Sequence, residues 1–368
     1  MKDDPKKPGR EMGVKRGRVL KAAIPREGLT RALVQVEEER EPVQALAYHL
    51  FSGEVREGDE VLVNTTAMDL RLGTGGTHFV LVNLSRPGEA SLKEAGHVMK
   101  LRYTPLQFKS LSLEEAHRGL LEEGRGLEGM AVLVLELHSM VLPAALAFKR
   151  KSPGSRLAYI MTDGGSLPLA FSEQAAFLRR QGLVDATITA GHAFGGDLEA
   201  VNIYTALQGA RHVLRADACI VAMGPGVLGT GTAFGFSGIE QGENINRANI
   251  LGGKAVTCLR LSFVEKRERH RGVSHHSLTS LQKAALTPAA IALPQELTGE
   301  AQRLVLGQLE EAGLPGIHTL CWHPAAEILH ELEGLDWQVK SMGRTLAEDP
   351  LFFAAAAAAG VEGAKGLH

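Results

Sequence analysis

Beyond residue 129, short apolar runs alternate with amphipathic stretches, and this alternation constrains the fold more than any other feature of the sequence. It is typical of a parallel β-sheet covered by helices, because parallel strands are buried on both faces and are joined by crossover helices. The runs predicted as strands are 130–137, 156–161, 184–190, 216–223 and 254–261. We therefore predict an α/β domain over residues 129–368, a mostly parallel sheet with flanking helices.

Helices are predicted between and after these strands. The stretch 197–211 begins with Asp197, a residue type that often caps helix N-termini. The alanine run 354–359 predicts a C-terminal helix, because alanine has the highest helix propensity, and Gly360 is expected to cap it.

The first 90 residues follow a different pattern. Runs rich in β-branched residues, Leu and Ala are separated by glycine-containing turn signals, and they occupy 18–24, 31–36, 43–49, 60–64 and 78–83. Closely spaced strands of this kind predict a small β-barrel domain over residues 1–90, with a basic N-terminal tail. Residues 91–128 are predicted to connect the barrel to the α/β domain.

Composition bears on partners and location. The 40 Lys and Arg residues against 42 Asp and Glu, with 5% aromatic residues, provide neither the basic surface nor the stacking platforms of nucleic-acid binding. The most apolar segment, 130–148, is interrupted by polar residues and Pro143, so no membrane span is expected. Three scattered cysteines and the lack of an apolar signal segment favour the reducing cytoplasm. A homo-oligomer is compatible with the sequence, although no apolar stripe indicates an interface.

Polar, glycine-rich or histidine-bearing segments follow all five predicted strands of the α/β domain. They occupy 136–139, 162–165, 191–197, 224–238 and 270–276. Because the carboxyl ends of parallel strands lie at one edge of a sheet, we expect these segments to converge there, where open α/β sheets bind their ligands. The sequence therefore predicts a functional crevice at the carboxyl edge.

The segment 224–238 is rich in glycine. It begins as GxGxxG, but glycines continue and the next predicted strand does not end in an acidic residue, so the context of a dinucleotide fingerprint is lacking. Thr230 stands where a P-loop requires lysine. The segment either serves only as a turn or forms a concavity that binds a phosphate or carboxylate. The residues predicted to bind such an anion are Gly224, Gly226, Gly229, Thr230, Gly231, Thr232, Ser237 and Gly238, with Arg271 as a clamp.

Histidines and carboxylates near the strand ends indicate either a metal site or a site of general acid–base catalysis. One interpretation is a site for zinc, manganese or iron, because imidazole and carboxylate groups are ordinary ligands of these metals. The candidate ligands are His138, His192, His270, His275 and His276. Without a metal, His192 and His275 would act as general acids and bases, oriented by Asp163 or Asp197. The alternative for each histidine is a hydrogen-bonded core or capping residue.

Several motifs together resemble a known family. They are NTT at 64–66, LGTGG at 72–76, GH at 96–97, RYTPLQ at 102–107, MTDGG at 161–165, the segments 192–201 and 224–238, RHRGVSHHSLT at 269–279, SMGR at 341–344 and EDP at 348–350. The chain resembles a bacterial family known only as a domain of unknown function. The resemblance implies a cytoplasmic bacterial protein and carries no substrate, cofactor or activity.

Two functions stay open. The first is an enzyme, a hydrolase or transferase that acts on a small anionic substrate, phosphorylated ones included, in the crevice. The second is a non-catalytic protein that senses a nucleotide or metabolite there or takes part in an assembly through its barrel. A bound divalent metal would favour hydrolysis, because a metal can provide hydroxide near neutral pH.

Overall fold

A computed structural model describes residues 11–70, 76–86, 95–124 and 126–367. The predicted basic tail at 1–10 and most of the LGTGG motif lie outside these residues. The chain divides into two compact units, Met1–Glu94 and Ala95–His368, each with its own hydrophobic core. The first unit contains the predicted barrel, and the second begins within the predicted connector.

The first unit is a closed five-stranded β-barrel, as predicted. Its elements are β1 Val14–Arg26, β2 Leu29–Val36, β3 Val43–Tyr48, α1 His49–Ser52, β4 Glu60–Asn64, α2 Thr66–Asp69 and β5 Thr77–Asn83. The strand order is β1–β2–β3–β5–β4, and β4 pairs with β1 to close the barrel. The β3–β5 pair is parallel and the others are antiparallel, a connectivity shared with OB-type barrels. Alternate residues of β2, among them Ala32, Val34 and Val36, are buried in the barrel core.

The second unit is an α/β domain. Its strands are β6 Val98–Lys100, β7 Phe108–Ser110, β8 Ala131–Val134, β9 Leu157–Thr162, β10 Ala186–Ala190, β11 Leu198–Ala200, β12 Ala218–Met223, β13 Lys254–Cys258, β14 Leu261–Ser262, β15 Gly272–Val273, β16 Ala290–Pro294, β17 Thr319–His323, β18 Lys340–Ser341 and β19 Arg344–Thr345. Eight of them form a parallel sheet in the order β11–β10–β9–β12–β8–β13–β16–β17. The rest pair as three small antiparallel hairpins.

Helices connect and cover these strands. They are α3 Leu113–Ala116, α4 Arg118–Glu123, α5 Val141–Lys151, α6 Glu173–Arg180, α7 Ile203–Gln208, α8 Glu240–Ile250, α9 His275–Thr279, α10 Gly299–Glu311, α11 Ala326–Glu333 and α12 Pro350–Gly363. Within the ranges the structure describes, no helix has the length and apolar character needed to cross a membrane.

The sheet topology opens a crevice at the carboxyl ends of β8 and β12. These two strands are neighbours, but the chain leaves them in opposite directions, from β8 through α5 to β9 and from β12 through α8 to β13. Because parallel crossovers are right-handed, α5 and α8 lie on opposite faces of the sheet. Such a switch point is where open α/β sheets bind ligands.

The helix predicted over 197–211 begins later than expected, and it continues as a π-helical turn through Gly209–Val213. Residues after Asp197 form β11 beside β10, and the helix begins only at α7, where the Asn202 side chain is the cap. The Asp197 carboxylate accepts hydrogen bonds from the N–H and the hydroxyl of Thr187, at 2.7 and 2.9 Å. Asp197 therefore fixes the entry into β11 and caps no helix.

The C-terminal helix extends beyond its predicted cap. Helix α12 continues through Gly360, and a Cβ at this position would overlap the carbonyl oxygen of Ala144 in α5. The alanine run 354–359 is fully buried against α5 and the sheet. Small residues thus let α12 lie close to α5, which is why Gly360 lies inside the helix.

Candidate functional site

Three of the five predicted metal ligands, His270, His275 and His276, come together in the segment after β13. One ligand atom of each lies within 4.8 Å of those of the other two. A short turn at Glu268–His270 places the first, and the start of α9 places the others. Ser274 caps α9 by accepting the N–H of His276 at 3.2 Å. The adjacent histidines therefore lie on a helical turn, where both can face the same space, and not on a strand.

Among the described residues, two of these three imidazoles have a buried ring nitrogen without a hydrogen-bond partner. His270 is 2% exposed, His276 is 6% exposed and His275 is half-buried. Nδ1 of His270 lies 2.8 Å from the Ser274 hydroxyl, and its Nε2 accepts from Arg269 Nε at 3.4 Å. In the described part of the chain, His275 Nε2 and His276 Nδ1 are buried without a hydrogen-bond partner. Buried polar atoms are nearly always paired, so these two nitrogens are candidates for binding a ligand.

Burial keeps the three imidazoles neutral. Burial and the nearby Arg260 charge lower the pKa of His270 to about 4. Burial and the two neighbouring histidines lower the pKa of His276 to about 3. The pKa of His275 is also lowered, by burial and by Arg269. Neutral imidazole is the form that binds metal ions, so the cluster needs to lose no proton at neutral pH.

A buried carboxylate lies beside the histidines. Glu136, two residues beyond β8, is 0% exposed, and its Oε2 accepts the Ser277 hydroxyl at 2.5 Å. Its Oε1 lies 3.8 Å from His276 Nδ1 and 4.0 Å from Arg260 Nη1, and it has no hydrogen-bond partner among the described residues. Burial raises the pKa of Glu136, although Arg260 and Ser277 oppose this shift.

The glycine-rich segment covers this cluster. The Phe236 ring stacks on His276 with 4.0 Å between ring centroids and 3° between planes. A Cβ at Gly229 would lie 3.1 Å from the His276 ring, and a Cβ at Gly238 would lie 3.0 Å from Glu136 Cγ. A side chain at either position would therefore make a tight contact with the ring or with Glu136.

The predicted hydroxyl donors of this segment are engaged within it. The Oγ1 atoms of Thr230 and Thr232 are 2.9 Å apart. The N–H of Thr230 donates to the Gly235 carbonyl at 2.8 Å. The Ser237 hydroxyl oxygen accepts the N–H of Leu228 at 3.0 Å. These contacts hold the loop in its folded-back shape.

A guanidinium other than the predicted Arg271 lies next to the segment. A Cβ at Gly231, where φ is +83°, would lie 3.1 Å from Arg269 Nη1. Arg271 is exposed, and its carbonyl oxygen accepts a hydrogen bond from Gln308 at 3.0 Å. Arg269 is thus the arginine next to Gly231.

A cavity of about 320 Å³ lies at the switch point of the sheet. It is lined by Leu137, His138, Ser139, Gln174, Met223, Gly224, Pro225, Gly226, Val227, Lys340, Ser341 and Met342. The predicted anion contacts Gly224 and Gly226 therefore line this cavity, whereas Gly229 lies against His276 and Gly238 lies against Glu136.

The other two predicted metal ligands lie apart from the three clustered histidines. His138 uses both ring nitrogens, with Nε2 2.6 Å from the Ser172 hydroxyl and Nδ1 3.1 Å from the Tyr159 hydroxyl. Burial lowers its pKa to about 4. His192 Nδ1 accepts the N–H of Leu101 at 3.1 Å. Among the described residues, the group that can hold a metal comprises only His270, His275 and His276.

The contacts of the predicted catalytic residues divide them into separate groups. Asp163 accepts the backbone N–H of His192 at 2.9 Å. Asp197 pairs with Arg179 at 2.8 Å, in addition to its bonds to Thr187. His275 contacts the other two clustered histidines.

Glu136, in the segment 136–139, is one of the carboxylates near the strand ends that the sequence suggests for a metal site, whereas the sequence did not predict a role for Arg260 or Phe236. Glu136 and Arg260 sit in predicted apolar runs, and both are buried in the structure. A charged residue within an apolar run is rarely buried unless it has a partner or a function. The presence of Glu and Arg inside two predicted buried strands was therefore the sequence feature that could have indicated these site residues.

A family model described as "Protein of unknown function (DUF3866)" matches residues 44–360. No curated protein matches the chain. The solved signal recognition particle receptor FtsY from Elizabethkingia anophelis is similar over 68% of this chain and 70% of that chain, at 12% identity and a TM-score of 0.29. That likeness is too weak to establish a shared fold. The family match covers most of the chain, including the motifs at 64–279 and 341–350, and the chain therefore belongs to this family.

Proposed function

We propose that this protein is a metal-dependent hydrolase of small anionic substrates, with His270, His275 and His276 as ligands of zinc, manganese or iron. One observation carries the proposal, the convergence after β13 of three neutral imidazoles, two of which have a buried nitrogen without a hydrogen-bond partner among the described residues. Three histidines are a ligand set of catalytic zinc sites, which keep a fourth position for water or substrate.

The unpaired atoms favour a metal site over a packed aromatic cluster. Packing explains the stacking of Phe236 on His276, but it leaves a nitrogen of His275 and a nitrogen of His276 buried without partners. In His270, the contact of Nδ1 with the Ser274 hydroxyl favours the tautomer with a lone pair on Nε2, which now accepts a long hydrogen bond from Arg269 Nε at 3.4 Å that a metal would replace.

Glu136 places a carboxyl group next to the proposed metal. Its Oε1, which has no hydrogen-bond partner among the described residues, lies 3.8 Å from His276 Nδ1, the nitrogen proposed to bind the metal. A carboxylate at this distance would offset part of the charge of a bound cation.

The surroundings fit hydrolysis. A divalent metal would supply hydroxide at neutral pH and polarise the electrophile. Backbone N–H groups of the glycine-rich segment can stabilise developing negative charge, and its exposed Leu228 and Phe234 can contact the organic part of a substrate. Three free cysteines agree with a cytoplasmic location.

Replacing His275 tests the proposal, because this histidine is half-buried and its truncation disturbs little packing. Untagged full-length protein, supplied in turn with Zn²⁺, Mn²⁺ and Fe²⁺, is assayed with p-nitrophenyl phosphate, bis(p-nitrophenyl) phosphate and p-nitrophenyl acetate. We expect at least one substrate to be hydrolysed, and His275→Ala to lower kcat/KM by about a hundredfold or more.

The control is His330→Ala, which removes an exposed imidazole of α11, and its kcat/KM should stay within about twofold of wild type. Equal rates for wild type and His275→Ala would contradict the proposed ligand role. A wild type that retains metal and binds anions, yet hydrolyses none of the three compounds, would favour the non-catalytic sensor.

A further inference from the structure

We infer that Arg260 anchors the substrate by its terminal oxyanion, a phosphoryl or carboxylate group. The inference rests on the proposed function and narrows its substrate class to compounds with a free anionic end. The observation behind it is that the Arg260 guanidinium is buried and has no carboxylate within hydrogen-bond distance.

The Arg260 guanidinium is buried but poorly paired. Its side chain is 5% exposed. Within the part of the chain that the structure describes, Glu136 is the one carboxylate within 4.0 Å of it, at a distance beyond a hydrogen bond, and the charge of Glu265 acts on it from further away. Burying a charged group that has no close counter-ion is unfavourable. An anion that accepts from its N–H groups would remove this penalty.

Neighbouring arginines are neutralised in the ordinary way. Arg267 pairs with Glu265 at 2.9 Å. Arg344 pairs with Glu265 at 3.3 Å and with Asp349 at 3.0 Å. The local carboxylates are thus already engaged by other guanidinium groups, and Arg260 stands out by its lack of a close partner.

The position of Arg260 connects it to the proposed metal site. It follows β13, its backbone N–H donates to the Ser277 hydroxyl at 3.0 Å, and Ser277 in turn donates to Glu136. A divalent metal on three neutral histidines adds positive charge beside this guanidinium, so the site as a whole calls for a negative ligand.

The chemistry of the group indicates which ligand fits. A guanidinium presents N–H donors in a planar fork that matches two oxygens of a carboxylate or phosphoryl group. Because the side chain is almost wholly buried, a small terminal group suits it better than an internal diester, which has substituents on both sides.

Arg260→Met tests the inference, because it removes the guanidinium and keeps most of the apolar stem. Arg267→Met is the matched control, since it removes a nearby guanidinium that Glu265 already neutralises. Untagged full-length protein, loaded with metal, is titrated calorimetrically with inorganic phosphate and separately with acetate, and its metal content is measured. We expect wild type to bind at least one anion, Arg260→Met to bind it about tenfold more weakly or worse with unchanged metal content, and Arg267→Met to bind within about twofold.

Wild-type anion affinity in Arg260→Met overturns the inference, and so does a metal-loaded wild type that binds neither anion. Tighter binding of phosphate supports a phosphoryl substrate, and tighter binding of acetate supports a carboxylate. If Arg260→Met does not fold, Arg260→Lys keeps the charge but loses the fork and should still weaken binding about fivefold, so unchanged affinity there overturns the inference.

Metal content separates this inference from the proposed function. Anion binding that depends on Arg260 in a protein that takes up no metal supports the anchor and contradicts the metal-dependent hydrolase. A metal-loaded protein whose anion binding ignores Arg260 contradicts the anchor alone.

Discussion

Glu240 illustrates how this fold changes the ionisation of a single residue. It begins α8, and the Thr162 hydroxyl donates to its Oε1 at 2.5 Å. Burial raises the pKa of Glu240 to about 7, with the Thr162 hydrogen bond opposing this shift and nearby Asp163 adding to it. A Cβ at Gly164 would lie 2.6 Å from Oε2, so a side chain at this position would force the carboxyl group to shift.

We expect Glu240 to make stability pH-dependent between about pH 4.5 and 7. In this window the unfolded chain loses the proton while the folded chain keeps it, so the free energy of unfolding falls as pH rises, by at most about 1.4 kcal/mol per pH unit. Glu240→Gln, which stays neutral, removes this contribution. Relative to wild type, the variant should gain on the order of 1–3 kcal/mol between pH 4.5 and pH 8.

Urea unfolding at several pH values, followed by tryptophan fluorescence, measures this difference. Both tryptophans, Trp322 and Trp337, lie in the second unit, so the signal reports on the unit that contains Glu240. Glu310→Gln, at an exposed position of α10, is the control and should track wild type at every pH. A pH profile of Glu240→Gln parallel to wild type would contradict a raised pKa.

At the scale of elements, the contact between α12 and α5 depends on small residues. A Cβ at Gly360 would overlap a backbone carbonyl oxygen of α5, which no side-chain rotation relieves. Gly360→Ala should therefore destabilise the second unit by about 1–3 kcal/mol, despite the better helix propensity of alanine. The same urea titration measures this loss.

Gly307 in α10 provides the matched substitution. Nothing lies within 4 Å of a Cβ built there, and the position is exposed. Gly307→Ala should leave stability unchanged or raise it by about 0.5–1 kcal/mol. A Gly360→Ala variant as stable as Gly307→Ala would show that α12 and α5 are less tightly packed than described.

Sequence patterns predicted the sheet well where strands are buried on both faces. Each of the five predicted runs overlaps a strand of the sheet, because such strands read as continuous apolar runs. Strand β11 was missed because it has three residues and follows Asp197, which looked like a cap. Strands β16 and β17, at the other end of the sheet, were not predicted. Strand β17 is only partly buried. A glycine after an alanine run is typical of a helix cap, so Gly360 was predicted as one. Its close contact with α5 could not be predicted, because helix–helix packing through small residues has no periodic pattern in the sequence.

The candidate site was predictable in part. The chain order of the strand ends predicted that the segment 270–276 and the glycine-rich segment would both follow sheet strands. It could not predict which histidines converge, because that depends on the Ser274 cap turning His275 and His276 onto a helix. Charged groups inside apolar runs, such as Arg260, were read as part of the strand pattern.

At the scale of the whole molecule, three adjacent strands supply the proposed chemistry. β8 leads to Glu136, β12 leads to the glycine-rich segment, and β13 leads to Arg260 and then to the histidines. They are neighbours in the order β12–β8–β13, so residues more than a hundred positions apart meet at one edge. For this reason we treat Glu136, Arg260, the three histidines and the glycine-rich segment as parts of one site.

Elemental analysis of untagged protein, purified without chelator, tests the central claim that this centre holds a metal. We predict about one equivalent of zinc, manganese or iron per chain in wild type and in His330→Ala, and much less in His275→Ala, because three imidazoles supply the ligands. Wild-type protein that holds no metal, even after incubation with each ion and desalting, would contradict the claim. Equal metal content in wild type and His275→Ala would contradict the assignment of the ligands.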